Sequence, residues 1–130
     1  ESVATSLRKN AGAVAAGRCE VRQGDVSRLP YADASFDLVT AFETVYFWPD
    51  VSAAFAEVFR VLGPSGVFLI VNEESGDSRW CSIVDGMRTY TADALAGWLR
   101  AVGFVDVRSD VRGEGGALCL VARKGPDSVA

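Results

Sequence analysis

The chain has 130 residues, of which 49% are hydrophobic and 23% charged, with 13 Lys and Arg against 17 Asp and Glu for a net charge of -4; that is enough apolar material for one compact domain and too little for two. The acidic balance excludes an electrostatic footprint for non-specific binding to nucleic acid or to an anionic membrane surface. The sequence has no histidine, which excludes a Ser-His-Asp triad, a Cys-His dyad, an imidazole proton shuttle and any zinc site with a His ligand.

Residues 2–16 are rich in Ala, with Val3, Leu7 and Val14 at loosely helical spacing, which predicts a helix ending near Gly17. Residues 19–24 alternate and stop at Gly24 and Asp25, as a short strand does. Pro30 and the polar residues around it mark a loop over 29–35, and residues 36–42 follow as a nearly continuous apolar strand of the kind that is covered on both faces of a parallel sheet. After Pro49 and Asp50 comes the clearest helix. Val51, Ala54, Phe55, Val58, Phe59 and Leu62 share one stripe, Asp50 is placed to accept from the first-turn amides, and Gly63 with Pro64 ends the pattern. A strand over 66–72 and a polar loop over 73–79 come next. A second helix opens near Thr91, carries Leu95, Trp98, Leu99 and Val102 on one stripe, and stops at Gly103. Two closing strands, 104–109 and 117–123, flank the glycines of residues 113–116 as a hairpin, and 125–130 read as a frayed tail after one domain over 1–124.

Strands alternating with helices and closing in a hairpin predict an α/β open sheet, mostly parallel, with an antiparallel strand at the end. Ligands of such sheets sit beyond the carboxyl ends of the strands, where strand order reverses. The residues at those ends are Gly24, Asp25 and Val26, then Phe42, Glu43 and Thr44, then Asn72 and Glu73.

Cys19, Cys81 and Cys119 are odd in number and far apart, which indicates neither a disulfide framework nor a structural zinc site and fits a reducing, cytoplasmic setting. The longest apolar run, residues 67–71, is far short of the ~20 residues of a membrane helix. The amino end has no basic segment leading into an apolar stretch, so no secretory signal is read there. It begins with Glu1 rather than Met, as expected of a chain that starts inside a longer reading frame.

The ordered blocks Gly24-Asp25, Leu29-Pro30 and Phe36-Asp37, followed by Arg60-Val61-Leu62 with Pro64 and Gly66, resemble the middle and carboxyl-terminal part of a class I S-adenosylmethionine-dependent methyltransferase of the small-molecule branch. Thr91 to Leu95 and Ala101 to Phe104 are similar to the family's last helix and strand, so the resemblance runs over most of residues 1–124. It implies an incomplete Rossmann-like sheet. The glycine-rich turn after the family's first strand and the ribose-binding acid after its second have no counterpart here, so the chain starts beyond both and the first two strands are absent. The family's sheet order places those two strands between the third and fourth, and continues fourth, fifth, seventh, sixth.

The resemblance also implies roles. Asp25 would accept from the exocyclic amine of adenine while the Val26 N–H faces a ring nitrogen, the complement of an edge that offers a donor beside an acceptor. Without the family, Asp25 reads as a turn residue and Glu43 as a solvated loop charge. Phe42 and Glu43 would border the methionine part of the cofactor. Tyr46 and Phe47 would border the acceptor pocket, with core packing as the other reading of Phe47 and Trp48. Glu43, Tyr46 and Glu73 are the reachable bases for a small-molecule acceptor that needs one, and no catalytic residue is assigned. Residues 79–88, with Trp80 and Met87, are a candidate pocket cover. With its glycine turn missing, the chain is expected to bind S-adenosylmethionine weakly and to be inactive alone. The open sheet edge left by the missing strands predicts a homodimer or strand-swapped assembly if this is the whole polypeptide, and the competing reading is a non-catalytic interaction module that uses that edge. A nucleotide-linked dehydrogenase would need a glycine fingerprint that the sequence lacks.

Overall fold

Asp50 starts the first apolar helix as its sequence predicts: its Oδ1 accepts the Ala53 amide at 3.0 Å in the computed structural model, which describes residues 2–72, 90–111 and 117–126. Among the described residues the order is α1 (Ser2–Lys9), α2 (Ala11–Ala15), β1 (Phe36–Phe42), a 3-10 turn (Val45–Phe47), α3 (Val51–Val61), β2 (Leu62–Asn72), α4 (Ala92–Val102), β3 (Asp106–Val111) and β4 (Leu118–Arg123). Thr91 caps α4 in the same way, accepting the Ala94 amide at 3.1 Å, and Gly103 closes it at φ 130°, a conformation that L side chains rarely adopt.

The strands form one sheet in the order β1-β2-β4-β3. β1 runs parallel to β2, while β4 is antiparallel to both β2 and β3. The sheet is therefore mixed rather than mostly parallel. The reason is the fate of residues 19–24, which are not a strand here; among the described residues no strand pairs with them, and an isolated bridge between Asp25 and Arg28 follows. The single helix expected over 2–16 is broken at Asn10, whose side-chain amide donates to the Ser6 carbonyl at 2.9 Å. It ends where expected. Gly17 at φ 75° lets its own amide reach Val14 and the Arg18 amide reach Ala13, a Schellman closure.

One face of the sheet carries the core. Val39 and Ala41 of β1, Phe68 and Ile70 of β2, and Leu118, Leu120 and Ala122 of β4 alternate toward α3 and α4, which bury Phe55, Val58, Leu95 and Leu99 against them. Each such side chain contributes about 1.5–3 kcal/mol when fully buried. A run of ring contacts crosses this layer: Trp48 on Phe55 at 6.1 Å, Phe55 on Phe68 at 5.6 Å and Phe59 on Phe104 at 5.1 Å, each close to edge-on. From the end of β4, the Lys124 ammonium donates to the carbonyls of Phe59 and Leu62 at 2.8 and 2.7 Å, satisfying carbonyls that the end of α3 leaves open.

β1 is not covered on both faces, as its apolar run suggested. Leu38 and Phe42 are each 56% exposed on the side away from α3, and β1 forms the outer edge of the sheet. Gly63 and Pro64 do end the helix pattern, but they belong to β2, where the register steps from Phe36 opposite Leu62 to Leu38 opposite Val67. The tail reading covers residues 125–130, of which the Gly125 carbonyl accepts the Ser65 amide at 3.1 Å. The hairpin glycines over 113–116, the loop over 73–79, and Glu73, Trp80, Cys81 and Met87 lie outside the described residues.

Candidate functional site

Asp25 opens a tight turn. Its Oδ1 accepts the Ser27 amide at 2.8 Å and its carbonyl accepts the Arg28 amide at 2.9 Å, so the turn reading of this acid is the one realised locally. The residues on either side of it, Gly24 and Val26, face a hollow of about 530 Å³ whose other walls are Arg22, Gln23, Leu29, Pro30, Tyr31, Thr40 and Thr44. The turn at 24–26 and the carboxyl half of β1 therefore meet across one concavity, at the rim where an open α/β sheet takes its ligands.

Phe42 and Glu43, between Thr40 and Thr44, border this region without lining the hollow. Phe42 is more than half exposed, and Glu43 stands exposed at φ 57° with its amide donating to the Val71 carbonyl at 2.8 Å. The left-handed backbone at Glu43 turns the chain off the strand. Tyr46 is buried at 3% exposure, and its ring meets Tyr90 at 6.3 Å. Phe47 is 49% exposed, contrary to its reading as core, whereas Trp48 is half-buried against Phe55. The hollow brings together Gly24, Val26 and Thr44 of the strand ends read from the sequence, and adds Thr40, Leu29 and Tyr31, which that reading did not single out as site residues. Two-residue alternation from Phe42 back to Thr40 was the signal available for Thr40.

The loop over 29–34 is held from two sides. On one side the Arg22 guanidinium lies 5.3 Å from the centre of the Tyr31 ring and donates to the Pro30 carbonyl at 3.3 Å. On the other, Arg60 of α3 donates to the carbonyls of Tyr31 at 2.8 Å and Leu29 at 3.1 Å, to Asp33 Oδ1 at 2.8 Å and to Glu57 Oε2 at 2.6 Å. The hydrogen bonds to Asp33 and then Glu57 push the Arg60 pKa above its ordinary value. A second, smaller hollow of about 210 Å³, lined by Leu29, Tyr31, Phe36, Leu38, Val39 and Val61, lies between this loop and β1 and is almost wholly apolar.

Asn72 ends β2 on the helix-covered face with none of its surface exposed, and among the described residues neither its Nδ2 nor its Oδ1 has a hydrogen-bond partner. Among the described residues no helix is long and apolar enough to cross a membrane.

A family model described as a methyltransferase domain matches residues 1–70, more than half of the chain. A probable S-adenosylmethionine-dependent methyltransferase of Mycolicibacterium smegmatis is 42% identical over 53 residues, which cover 41% of this chain and 21% of that protein. Across the first curated relatives the matches span about a third of their length or less. Among solved structures, the 4+2 cyclase SpnF superposes with a TM-score of 0.77 at 22% identity, covering 96% of this chain and 63% of its own. A Thermotoga maritima protein described as an S-adenosylmethionine-dependent methyltransferase, possible histamine N-methyltransferase, gives a TM-score of 0.69 at 20% identity, covering 88% of this chain and 68% of its own. At these identities the two structures show a shared fold, and the cyclase is a reminder that a fold hosts more than one chemistry.

Proposed function

This chain belongs to the methyltransferase-domain family of class I S-adenosylmethionine-dependent enzymes, and we propose that it is part of a small-molecule methyltransferase whose adenine-binding end is the hollow beside Asp25. The observation that carries this reading is the concavity shared by Gly24, Val26, Thr40 and Thr44. Its volume falls within the ~300–1,000 Å³ of ordinary small-molecule sites. Leu29, Pro30 and the Tyr31 ring supply apolar walls for a flat heterocycle, and the Thr40 and Thr44 hydroxyls supply polar groups. Asp25 spends Oδ1 on its own turn, and Oδ2 is the atom proposed to accept the exocyclic amine, with the Val26 amide beside it.

S-adenosylmethionine, when bound, supplies a methyl group already activated on sulfur, so the protein's work is positioning two molecules and excluding water. Glu43, exposed at the end of β1, is the carboxylate proposed for the cofactor's ammonium, with Phe42 beside it. Phe47, exposed on the next turn, is the aromatic face proposed for a small-molecule acceptor, with the buried Tyr46 in the same turn. On this reading the residues present supply the adenine end and only part of the methionine end. The glycine turn and the ribose acid of the family have no counterpart in the sequence, so the 130-residue chain is proposed to bind weakly and to transfer no methyl by itself. The proposed partner of the chain alone is a second copy, through the outer edge of β1.

Titration of the isotope-labelled chain with S-adenosylmethionine, followed by amide resonances, tests the cofactor reading. Expected are saturable shifts confined to residues 22–31, 40 and 42–44, with a dissociation constant of about 1 mM or weaker. Absence of shifts at Gly24 and Val26 at saturating ligand overturns the adenine assignment. Tight binding by calorimetry overturns the proposal that the chain lacks most of its cofactor anchors.

A further inference from the structure

We propose that Arg60 is a positioning residue for the hollow, acting through the loop over 29–34; the proposal rests on reading that hollow as the adenine end of the cofactor site. Arg60 sits in the last turn of α3 and touches nothing inside the hollow. Its guanidinium instead meets three residues of one irregular loop: the carbonyls of Leu29 and Tyr31 and the carboxylate of Asp33. Its own main-chain carbonyl accepts the Ala34 amide at 2.9 Å, which ties a fourth loop residue to the same point of the helix.

Leu29 and Tyr31, whose carbonyls Arg60 holds, are wall residues of the hollow, and Pro30 lies between them. Fixing those carbonyls fixes the peptide planes that carry the walls. Neither helix nor strand is available to do so, since residues 29–34 belong to none. Away from Arg60 the loop is tethered by the longer Arg22 bond to Pro30, the Arg22 contact with Tyr31 and the edge-on contact of the Tyr31 ring with Phe36 at 4.9 Å. Glu57, one helical turn before Arg60, holds Nε at 2.6 Å and so aims the fork at the loop. A planar fork with five donors can satisfy two carbonyls and two carboxylates at once; a lysine ammonium, with three donors on a flexible stem, cannot reproduce that pattern. The residue is part of the Arg60-Val61-Leu62 block that marks the resemblance, and its contacts give that block a physical task at the site.

Three variants of the full chain test this: Arg60→Met, Arg60→Lys and, as a control for general loss of stability, Val58→Ala, which weakens the buried face of α3 without touching the loop. Hydrogen exchange in the ligand-free chain reads the clamp at Ser27, Arg28 and Ala34, whose amides each have a hydrogen bond to lose. Arg60→Met is expected to speed exchange there at least about tenfold relative to the core strands, and Arg60→Lys to restore only part of the protection. Amide titration with S-adenosylmethionine then reads the hollow: the shifts at Gly24 and Val26 are expected to vanish in Arg60→Met and to persist in Val58→Ala. Unchanged exchange in Arg60→Met, or equal loss of the shifts in Val58→Ala at matched thermal midpoint, overturns the positioning role. If the unaltered chain gives no shifts, the adenine reading fails and the ligand half of this proposal with it, while the exchange data still decide whether Arg60 holds the loop.

Discussion

Asn72 carries a carboxamide into a place where nothing answers it. Its neighbours along the covered face are Ile70 on its own strand and Leu118 opposite, both fully buried, and among the described residues both of its amide atoms lack partners. A buried donor or acceptor without a partner costs about 1–3 kcal/mol. Asn72→Leu, with the same branched shape and no polar atoms, is therefore expected to stabilise the chain by about that amount, read as a higher midpoint in urea with an unchanged slope. A lower midpoint would mean that the amide is satisfied in solution. Single residues differed in how far sequence exposed them. Asp50, Thr91, Gly17 and Gly103 were legible because a cap or a left-handed helix end demands one of a few residue types at one position. Asp25 carried two readings, and the local turn is the one its Oδ1 makes with the Ser27 amide. Arg60 was not legible as a contact-maker, because an arginine in the last turn of a helix needs no partner beyond the helix dipole to explain it.

At the scale of elements, the helices were read well and the strands less so. An apolar stripe at helical spacing defines α3 and α4 within their own sequence, and their caps set the starts. Thr91→Ala removes the oxygen that accepts the Ala94 amide and is expected to cost about 1 kcal/mol, measured by chemical denaturation, with α4 content otherwise intact. A change under a few tenths of a kcal/mol would show that the α4 start is held by packing alone. Strands depend on neighbours that sequence does not name. The alternation over 19–24 is as regular as that of many strands, yet with no adjacent strand to receive its backbone groups the segment stays irregular and serves as a wall of the hollow. The same limit explains β1. Its apolar run was correct as a strand signal, but whether its second face is covered is a property of the rest of the sheet, and Leu38 and Phe42 stand exposed.

For the molecule as a whole, the consequence is an edge. Among the described residues the strand order β1-β2-β4-β3 leaves β1 outermost, with a row of backbone groups and the large apolar side chains of Leu38 and Phe42 exposed. The sequence of this edge is suited to meeting itself. In an antiparallel pairing centred on Val39, Phe36 of one copy faces Phe42 of the other, Leu38 faces Thr40, and Asp37, the one charged residue of the strand, faces Ala41. That register sets two aromatic pairs across the joint and no like charges opposite one another; shifting the centre to Thr40 would bring Asp37 against Glu43. A two-fold axis through Val39 would also keep the helix-covered faces of both copies on the same side of one continuous sheet, and the surface joined would be isologous. Sedimentation of the chain at rising concentration is expected to show a species of twice the monomer mass. Leu38→Lys, which places a solvated charge on the edge at a position already 56% exposed, is expected to leave folding stability within about 0.5 kcal/mol and abolish that species, since an edge lysine must be desolvated for a second strand to pair. A wild-type chain that stays monomeric at high concentration, or a Leu38→Lys chain that dimerises as well as the original, would place the joint elsewhere or remove it.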